Sequence, residues 1–222
     1  MSLWSGQHGG MPNAWVPVLP ILIVALVVPL VIWGIVATQR RTTENLRKLA
    51  DRLRLTFHPA EGWTGSPRVS GMLRGKPVDV FTYSTGSGKT RKTWAAIAIQ
   101  PAGAAGLTFA LRKQGLGTKI SELFGAREIT VGDPAFDAAW FIQTNRPDFL
   151  RPALLPELRE KLMAARRAGA QGGFEFNGGA IKYAELGSFY QTERIERFVA
   201  LADIVGDLAD IAEVAGTMDK RT

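Results

Sequence analysis

An uncharged apolar stretch of 23 residues, from Trp15 to Ala37, constrains this chain more than any other feature. As a helix that rises 1.5 Å per residue, it would reach about 34 Å, enough to cross a hydrocarbon layer of about 30 Å. A cleaved signal peptide would carry a basic segment before a shorter apolar core of about 7–15 residues, and the sequence has neither. A buried core helix of this length would show a polar face. The stretch therefore predicts one transmembrane helix over residues 15–37, with the rest of the chain tethered to a membrane.

Three residues of this stretch are expected to contact lipid or a neighbouring helix. Trp15 and Trp33 lie near its two ends, where aromatic side chains favour the membrane–water interface. Pro29 lies deeper, where it should kink the helix and leave the carbonyl near Ala25 without its amide donor. Because lipid offers no replacement donor, Pro29 indicates packing against another membrane helix.

The charges on the two flanks predict the orientation. Residues 1–14 contain no Lys or Arg, whereas the other flank is strongly basic. The basic residues are Arg40, Arg41, Arg47, Lys48, Arg52 and Arg54. The positive-inside rule then predicts an inner (plasma) membrane protein with its N-terminus outside and its C-terminal domain in the cytoplasm.

Composition limits what the domain does. Residues 42–222 carry a net charge of +5, which suits a surface that faces anionic lipid better than a dedicated nucleic-acid binder. The chain has no cysteine, which excludes disulfides, thiol catalysis and cysteine-ligated metals. Its length after the anchor suits one domain, or two very small ones.

Residues 38–58 predict a basic amphipathic helix next to the membrane. Its apolar residues share one face by their 3, 4 and 7 spacing, and the cations, including Arg47 and Lys48, line the other face. The apolar residues are Leu46, Leu49, Ala50, Leu53 and Phe57. One interpretation rests the cations on phospholipid headgroups; the other is a helix that covers a sheet, its charges merely solvated. The two are compatible.

Residues 59–215 predict an α+β domain with a mainly antiparallel sheet and helices packed on it, followed by a tail at 216–222. The predicted strands are short and separated by glycine-containing loops. They are 69–73, 77–83, 94–100, 107–113, 128–131 and the second half of 135–144, whose first half reads as a bend. A hairpin follows at 174–183 around Asn177-Gly178, the strongest two-residue turn signal.

The predicted helices of the domain bury apolar stripes. A helix at 147–168, broken by prolines, buries Leu155, Leu158, Leu162 and Ala165. A final helix at 191–215 carries two stripes. The first (Ile195, Phe198, Val199, Ala202, Val205) is expected against the sheet, and the second (Leu201, Ile204, Leu208, Ile211) is a possible interface.

The Gly86-Ser87-Gly88-Lys89-Thr90 segment matches the end of a phosphate-binding loop, but Tyr83 occupies the position of the first glycine. A β-rich run follows instead of the helix that such a loop needs. We therefore expect no nucleotide and no cofactor here, and predict a hairpin tip that presents Lys89, Arg91 and Lys92 to lipid headgroups or an acidic partner. A solvated loop is the simpler alternative.

Catalytic groups are sparse. His8 and His58 lie on opposite sides of the anchor, so a histidine-centred metal site or a Ser/His/Asp triad has little basis. Asp133 and Asp137 lie near Glu128 and would suit a hard cation or acid–base chemistry, but a turn cap is the commoner use of such residues.

The chain resembles uncharacterised bacterial membrane proteins that have one N-terminal span and a cytoplasmic α+β domain. The resemblance lies in Phe81-Thr82-Tyr83 with the Thr85–Lys89 segment, and in the 132–137 segment (GDPAFD) before Trp140. It implies a hairpin tip and a turn followed by a strand, and it transfers no activity and no functional residue.

The sequence thus predicts a non-enzymatic, single-pass membrane protein. The leading hypothesis is an accessory or assembly subunit of a larger membrane complex, with the lipid bilayer and other integral membrane subunits as partners and no nucleic acid. The alternatives are a lipid-surface or signalling module that recruits a soluble partner, and an enzyme built around Asp133, Asp137 and neighbouring arginines.

Overall fold

The structure is a computed structural model that describes residues 18–62, 65–104, 106–114 and 127–219. The sequence also indicates one helical turn at 119–124; this segment and Trp15 lie outside the described residues. The chain forms two compact units, Met1–Arg40 and Arg41–Thr222. Among the described residues, the hydrophobic core lies between Leu46 and Ala215, so the second unit has a core of its own.

In the described part of the chain the sheet has nine strands, and every pair of neighbours is antiparallel. The strands are β1 (Thr56–His58), β2 (Arg68–Leu73), β3 (Lys76–Thr85), β4 (Lys92–Ile99), β5 (Phe109–Lys113), β6 (Arg127–Ile129), β7 (Trp140–Thr144), β8 (Gly173–Phe176) and β9 (Ile181–Leu186). Their order is β1-β2-β3-β4-β9-β8-β5-β7-β6, so the three-residue strands β1 and β6 form the two edges.

The helices are α1 (Val18–Leu53), α2 (Pro134–Ala139), α3 (Pro147–Ala153), α4 (Pro156–Arg167) and α5 (Glu193–Asp219). With the antiparallel sheet they confirm the predicted α+β class. They also refine the prediction at 135–139, where the expected bend is the helix α2. Asp133 initiates this helix because its carboxylate accepts hydrogen bonds from the backbone amides of Ala135 and Phe136.

The apolar part of α1 leaves its side chains uncovered. From Val24 to Val36 the large apolar side chains are exposed, and Pro29 lies inside the helix. Among the described residues, α1 alone is long and apolar enough to cross a membrane. Its composition therefore matches the predicted anchor.

The C-terminal part of α1 belongs to the domain. Leu46, Leu49 and Ala50 are buried in the core, as the 3 and 4 spacing predicts. The helix ends at Leu53, before the predicted Phe57, because Arg54 adopts a left-handed conformation with φ of 56°. The next residues form β1, which pairs with β2.

The helix α5 packs against the sheet at β4 and β9 and against α4. Residues of both apolar stripes are buried, so both stripes are used within the domain. Leu201, Ile204 and Leu208 are buried, so the proposed second interface on this helix is wrong.

Two local predictions need correction. Leu155 is 58% exposed because it precedes α4 as its N-cap residue, and it does not join the buried stripe. The predicted hairpin at 174–183 is confirmed, since β8 and β9 pair, but its turn spans residues 177–180 and is not a two-residue Asn-Gly turn. The observed register pairs the aromatic Phe174 with Tyr183 on the core face, and Glu175 with the oppositely charged Lys182.

Candidate functional site

The connection between β3 and β4 forms the tip predicted from the sequence. Residues Gly88–Thr90 make one 3₁₀ turn, and the Thr90 hydroxyl donates to the Ser87 carbonyl at 2.8 Å. Gly86 has a φ of 78°, and a Cβ there would lie 2.7 Å from the Thr90 carbonyl oxygen, so this turn needs glycine. The chain then returns directly into β4, whereas a phosphate-binding loop leads into a helix.

Three cations decorate this tip. Lys89, Arg91 and Lys92 are all exposed. They form ion pairs with none of the described carboxylates. The fold therefore places three exposed positive charges at one short connection, as the sequence predicts.

A row of apolar side chains lies beside the tip on the sheet face that α5 does not cover. Trp94 pairs with Tyr83 on one side and Leu186 on the other. Residues paired across antiparallel strands point to the same face, so the three form one row. The Tyr83 and Trp94 rings stack with their centroids 6.4 Å apart and their planes 16° apart, and Leu186 is 57% exposed.

Polar atoms fix the orientation of the two aromatic rings. The Trp94 indole Nε1 donates to the Thr85 hydroxyl at 2.8 Å, and the Lys182 ammonium lies 5.4 Å from the Tyr83 ring centroid. Burial, with a smaller contribution from the Glu175 carboxylate, raises the pKa of the Tyr83 hydroxyl. Tyr83 therefore stays neutral across the physiological range. We call the three tip cations and the Tyr83–Trp94–Leu186 row the tip surface.

The residues that follow the anchor reach the same end of the domain. The Gly187 amide, just after β9, donates to the Thr93 carbonyl beside the tip at 2.8 Å. Two residues later, the Phe189 carbonyl accepts a hydrogen bond of 2.8 Å from the amide side chain of the buried Asn45. Asn45 lies near the N-terminus of the domain, and this contact fixes that terminus at the end of the sheet that carries the tip surface.

The other predicted contact residues lie on α1. Arg40, Arg41, Arg47 and Lys48 are exposed, and the Arg47 guanidinium lies 5.1 Å from the Phe57 ring centroid. Arg47, which the sequence predicted to contact lipid headgroups, therefore also packs on an aromatic ring of the domain. In the apolar part of α1, Trp33 is 72% exposed.

The opposite end of β3 carries cations of a different kind. Arg74 and Lys76 lie at the β2–β3 turn and reach carboxylates on α5, which Lys161 of α4 also contacts. Lys76 lies 2.6 Å from Asp210 and 3.2 Å from Glu213. Arg74 lies 2.7 Å from Asp207 and also contacts Asp203. Lys161 lies 2.6 Å from Asp203 and 2.7 Å from Asp207. A Cβ at position 206 would lie 3.2 Å from the Arg74 guanidinium, so Gly206 lets Arg74 lie close on the helix.

These contacts shift the pKa values of their members. The hydrogen bond from Lys76 to Asp210 raises the pKa of the Lys76 ammonium, and the bond from Lys161 to Asp203 raises that of Lys161. For Asp203, burial alone would raise the pKa, but Lys161 and Arg74 outweigh burial and lower it. The folded state therefore favours the charged forms of Lys76, Lys161 and Asp203, and their ion pairs stabilise the fold.

A buried ionic cluster joins β9 to α5. Glu185 is 2% exposed and lies 2.6 Å from the Arg197 Nη2 and 2.9 Å from the Arg194 Nε. It also accepts a hydrogen bond of 2.6 Å from the Tyr183 hydroxyl, whose pKa is raised by burial and by the Glu185 charge. The sequence reasoning missed this cluster because its members are paired by the β9–α5 packing and not by any spacing in the chain.

The two carboxylates considered for catalysis accept hydrogen bonds from backbone amides. Asp133 caps α2, and Asp137 accepts hydrogen bonds from the Val131 and Gly132 amides at 2.9 and 3.1 Å. The alternative predicted from the sequence, a turn cap, describes both residues. Among the described residues, no group of three His, Asp or Glu side chains is placed to hold a metal ion.

Comparisons with other proteins add one structural relative. No known protein family matches the sequence, and no curated protein is significantly similar to it. The crystal structure of the mycobacterial trehalose monomycolate transport factor A, TtfA, shares the fold with a TM-score of 0.52. The match covers 78% of this chain and 93% of TtfA at 14% sequence identity. The chain therefore shares the architecture of a protein described as a transport factor.

Proposed function

We propose that this protein is a non-enzymatic, single-pass accessory or assembly subunit of a larger membrane protein complex, with its domain on the cytoplasmic face. The observation that carries the proposal is the exposed apolar segment of α1, Val24–Val36, joined to a domain with its own core. Uncovered side chains of this kind need a lipid or protein environment. TtfA, which shares the fold, is described as a transport factor, and this description supports the proposal of an accessory role.

Pro29 supports a helical partner within the membrane. Proline has no amide hydrogen, so the Ala25 carbonyl one turn earlier loses its intrahelical donor. In hydrocarbon the carbonyl needs another donor, and a neighbouring helix that brings a polar side chain provides one. The basic residues after the apolar stretch support a cytoplasmic domain.

Extraction in a mild detergent tests the proposal. We expect the native protein to elute from a sizing column in a complex larger than its own 24.1 kDa chain in a detergent micelle. The variant P29L restores the backbone hydrogen bond and should weaken this complex, whereas the matched control V28L should leave it intact. Elution of the wild-type protein as a lone monomer would overturn the proposal.

The absence of cysteine gives a direct test of orientation. A single cysteine at Ser5 should react with a membrane-impermeant maleimide in intact cells. A single cysteine at the exposed Ala102 of the domain should react only after lysis. Labelling of A102C in intact cells would reverse the assigned orientation.

A second candidate function is a lipid-surface or signalling module that recruits a soluble partner. The exposed cations of the tip surface favour it, because they are available to an anionic ligand. Capture of a soluble protein that depends on these cations, in membranes where the sizing experiment finds no complex, would favour this candidate over the first.

A further inference from the structure

We propose that the tip surface is a contact site for anionic phospholipid headgroups, so that the domain lies with this end against the bilayer to which it is tethered. The inference rests on the membrane attachment proposed above and adds the part of the domain that meets the membrane and the lipid class that it selects.

The charge of the tip supports the choice of ligand. Lys89, Arg91 and Lys92 are exposed and form no ion pair with any carboxylate in the described part of the chain. An ammonium or guanidinium group near an anionic membrane surface gains energy from the negative surface potential. Three such groups on one loop give a concentrated positive charge without a competing internal partner.

The neighbouring row supplies the second property of a membrane contact. Trp94 and Tyr83 combine apolar rings with polar atoms, which is the character of side chains at the headgroup level of a bilayer. Leu186 extends the row as an exposed apolar group. In a membrane contact, the cations would face the lipid phosphate groups and the aromatic rings would face the upper part of the acyl chains. The tip surface therefore suits a bilayer surface better than bulk water.

Within the domain, the tip surface lies at the same end as the residues that follow the apolar stretch in the chain. Only seven residues, 38–44, separate the apolar stretch from Asn45. Asn45 holds the Phe189 carbonyl, and the neighbouring Gly187 is bonded to the strand that leads from the tip. The tip surface therefore lies at the end of the domain where the chain comes in from the apolar stretch.

The two ends of β3 carry cations that differ in their partners. At the β2–β3 turn, Arg74 and Lys76 are neutralised by α5 carboxylates, whereas the three tip cations pair with no carboxylate among the described residues. An acidic protein would also satisfy the cations, but it would not explain why they lie beside the aromatic row and at the tethered end. We therefore favour lipid.

The test uses the full-length protein in lipid nanodiscs and one cysteine at a time. Ser87 makes no side-chain capping hydrogen bond, so S87C allows a fluorophore at the tip. A102C lies beyond the other end of β4, about 23 Å away along the strand direction. We expect headgroup-nitroxide lipid to quench the S87C probe strongly in nanodiscs with phosphatidylglycerol, and weakly in phosphatidylcholine alone. The A102C probe should be unquenched in both.

Charge variants in the S87C background separate lipid recognition from mere proximity. K89Q/R91Q/K92Q should lose the quenching, whereas the charge-conserving K89R/R91K/K92R should keep it. The variant R127Q/R151Q removes two exposed cations elsewhere and should also keep it. Equal quenching in both lipids, or quenching that survives the loss of the three cations, would overturn the proposal.

The isolated domain tests the same surface without the anchor. Residues 41–222 form a unit with its own core, so this piece is expected to fold. It should bind phosphatidylglycerol vesicles at low salt, and the three glutamines should weaken binding about 100-fold, at roughly 5-fold per cation. If the full-length protein did not insert into a bilayer, the proposed membrane attachment would be wrong. The vesicle experiment on the isolated domain would still test whether the tip surface binds anionic lipid. A domain that binds no anionic vesicle, with an unquenched S87C probe, would overturn the lipid contact and leave an acidic protein as the ligand.

Discussion

The cations along α5 and the cations of the tip surface belong to one small domain, yet the fold treats them in opposite ways. Arg74, Lys76 and Lys161 each contact two or more carboxylates, and Arg194 and Arg197 share the buried Glu185. The tip cations have no such partners among the described residues. A net positive charge therefore says little about binding until the cations that hold the fold together are separated from those that are available.

The largest effect should come from removing the buried anion of the α5 region. The variant E185A leaves the buried Arg194 and the partly buried Arg197 without their common counter-charge and removes the acceptor of the Tyr183 hydroxyl. We expect a loss of about 3 kcal/mol in the free energy of unfolding. Urea denaturation of residues 41–222 measures it, and E185Q, which keeps an acceptor, should fall between. A loss below 1 kcal/mol for E185A would show that this cluster does not hold the sheet to α5.

A smaller loss is expected at the β2–β3 turn. The Lys76 side chain is only 10% exposed, and its partners Asp210 and Glu213 are more open to solvent. Solvent screening of these carboxylates reduces the cost of losing the pair, so K76A should destabilise the domain by about 1–2 kcal/mol. The same urea titration checks this, with K76R as the charge-conserving control. A destabilisation as large as that of E185A would contradict the burial-based ranking.

The α5 network should also make stability depend on pH at both extremes. The lowered pKa of Asp203 gives a contribution that is present above its unfolded value of 3.8 and is lost as the pH falls through the folded value. The raised pKa values of Lys76 and Lys161 give a contribution that is present below 10.5 and is lost as the pH rises through the folded values. The urea midpoint should therefore decline below about pH 4 and above about pH 10.5.

The variant D203N isolates the acid side of this dependence. It should lower the urea midpoint at pH 7 and make the remaining decline below pH 4 shallower. If the urea midpoint of D203N fell below pH 4 as steeply as that of the wild-type protein, the pH dependence would arise from other carboxylates.

The smallest effect on stability should come from the tip. Because Lys89, Arg91 and Lys92 are exposed, K89Q/R91Q/K92Q should change the free energy of unfolding by less than about 0.5 kcal/mol. This result, together with the loss of lipid contact, would complete the contrast with α5. A loss above 1 kcal/mol would mean that the tip cations also support the fold.

The features that the sequence predicted correctly depend on residues that are close to one another in the chain. Strands β2, β3 and β4 and helices α4 and α5 were predicted because alternation and helical spacing are local patterns. The tip was predicted because its glycines and the β-rich run after Lys92 are also local. The alternation of Phe81 and Tyr83 with polar residues could have indicated an aromatic row on the second face of the sheet.

The features that the sequence did not predict depend on distant contacts. The second apolar stripe of α5 was interpreted as an interface because the sequence does not show that Leu201, Ile204 and Leu208 are buried within the domain. The Asn177-Gly178 signal predicted the hairpin but not the length of its turn, which follows from the register that pairs Phe174 with Tyr183. The role of Asn45 needed the position of Phe189, which lies 144 residues away. Spacing cannot show a contact over such a separation.

The three-residue edge strands have a consequence for assembly. β1 and β6 offer few free backbone groups, so another chain that tried to extend the sheet would gain only a few hydrogen bonds. Copies of this domain crowded on a membrane would thus resist fibrous aggregation by strand addition, and any specific association has to use side-chain surfaces.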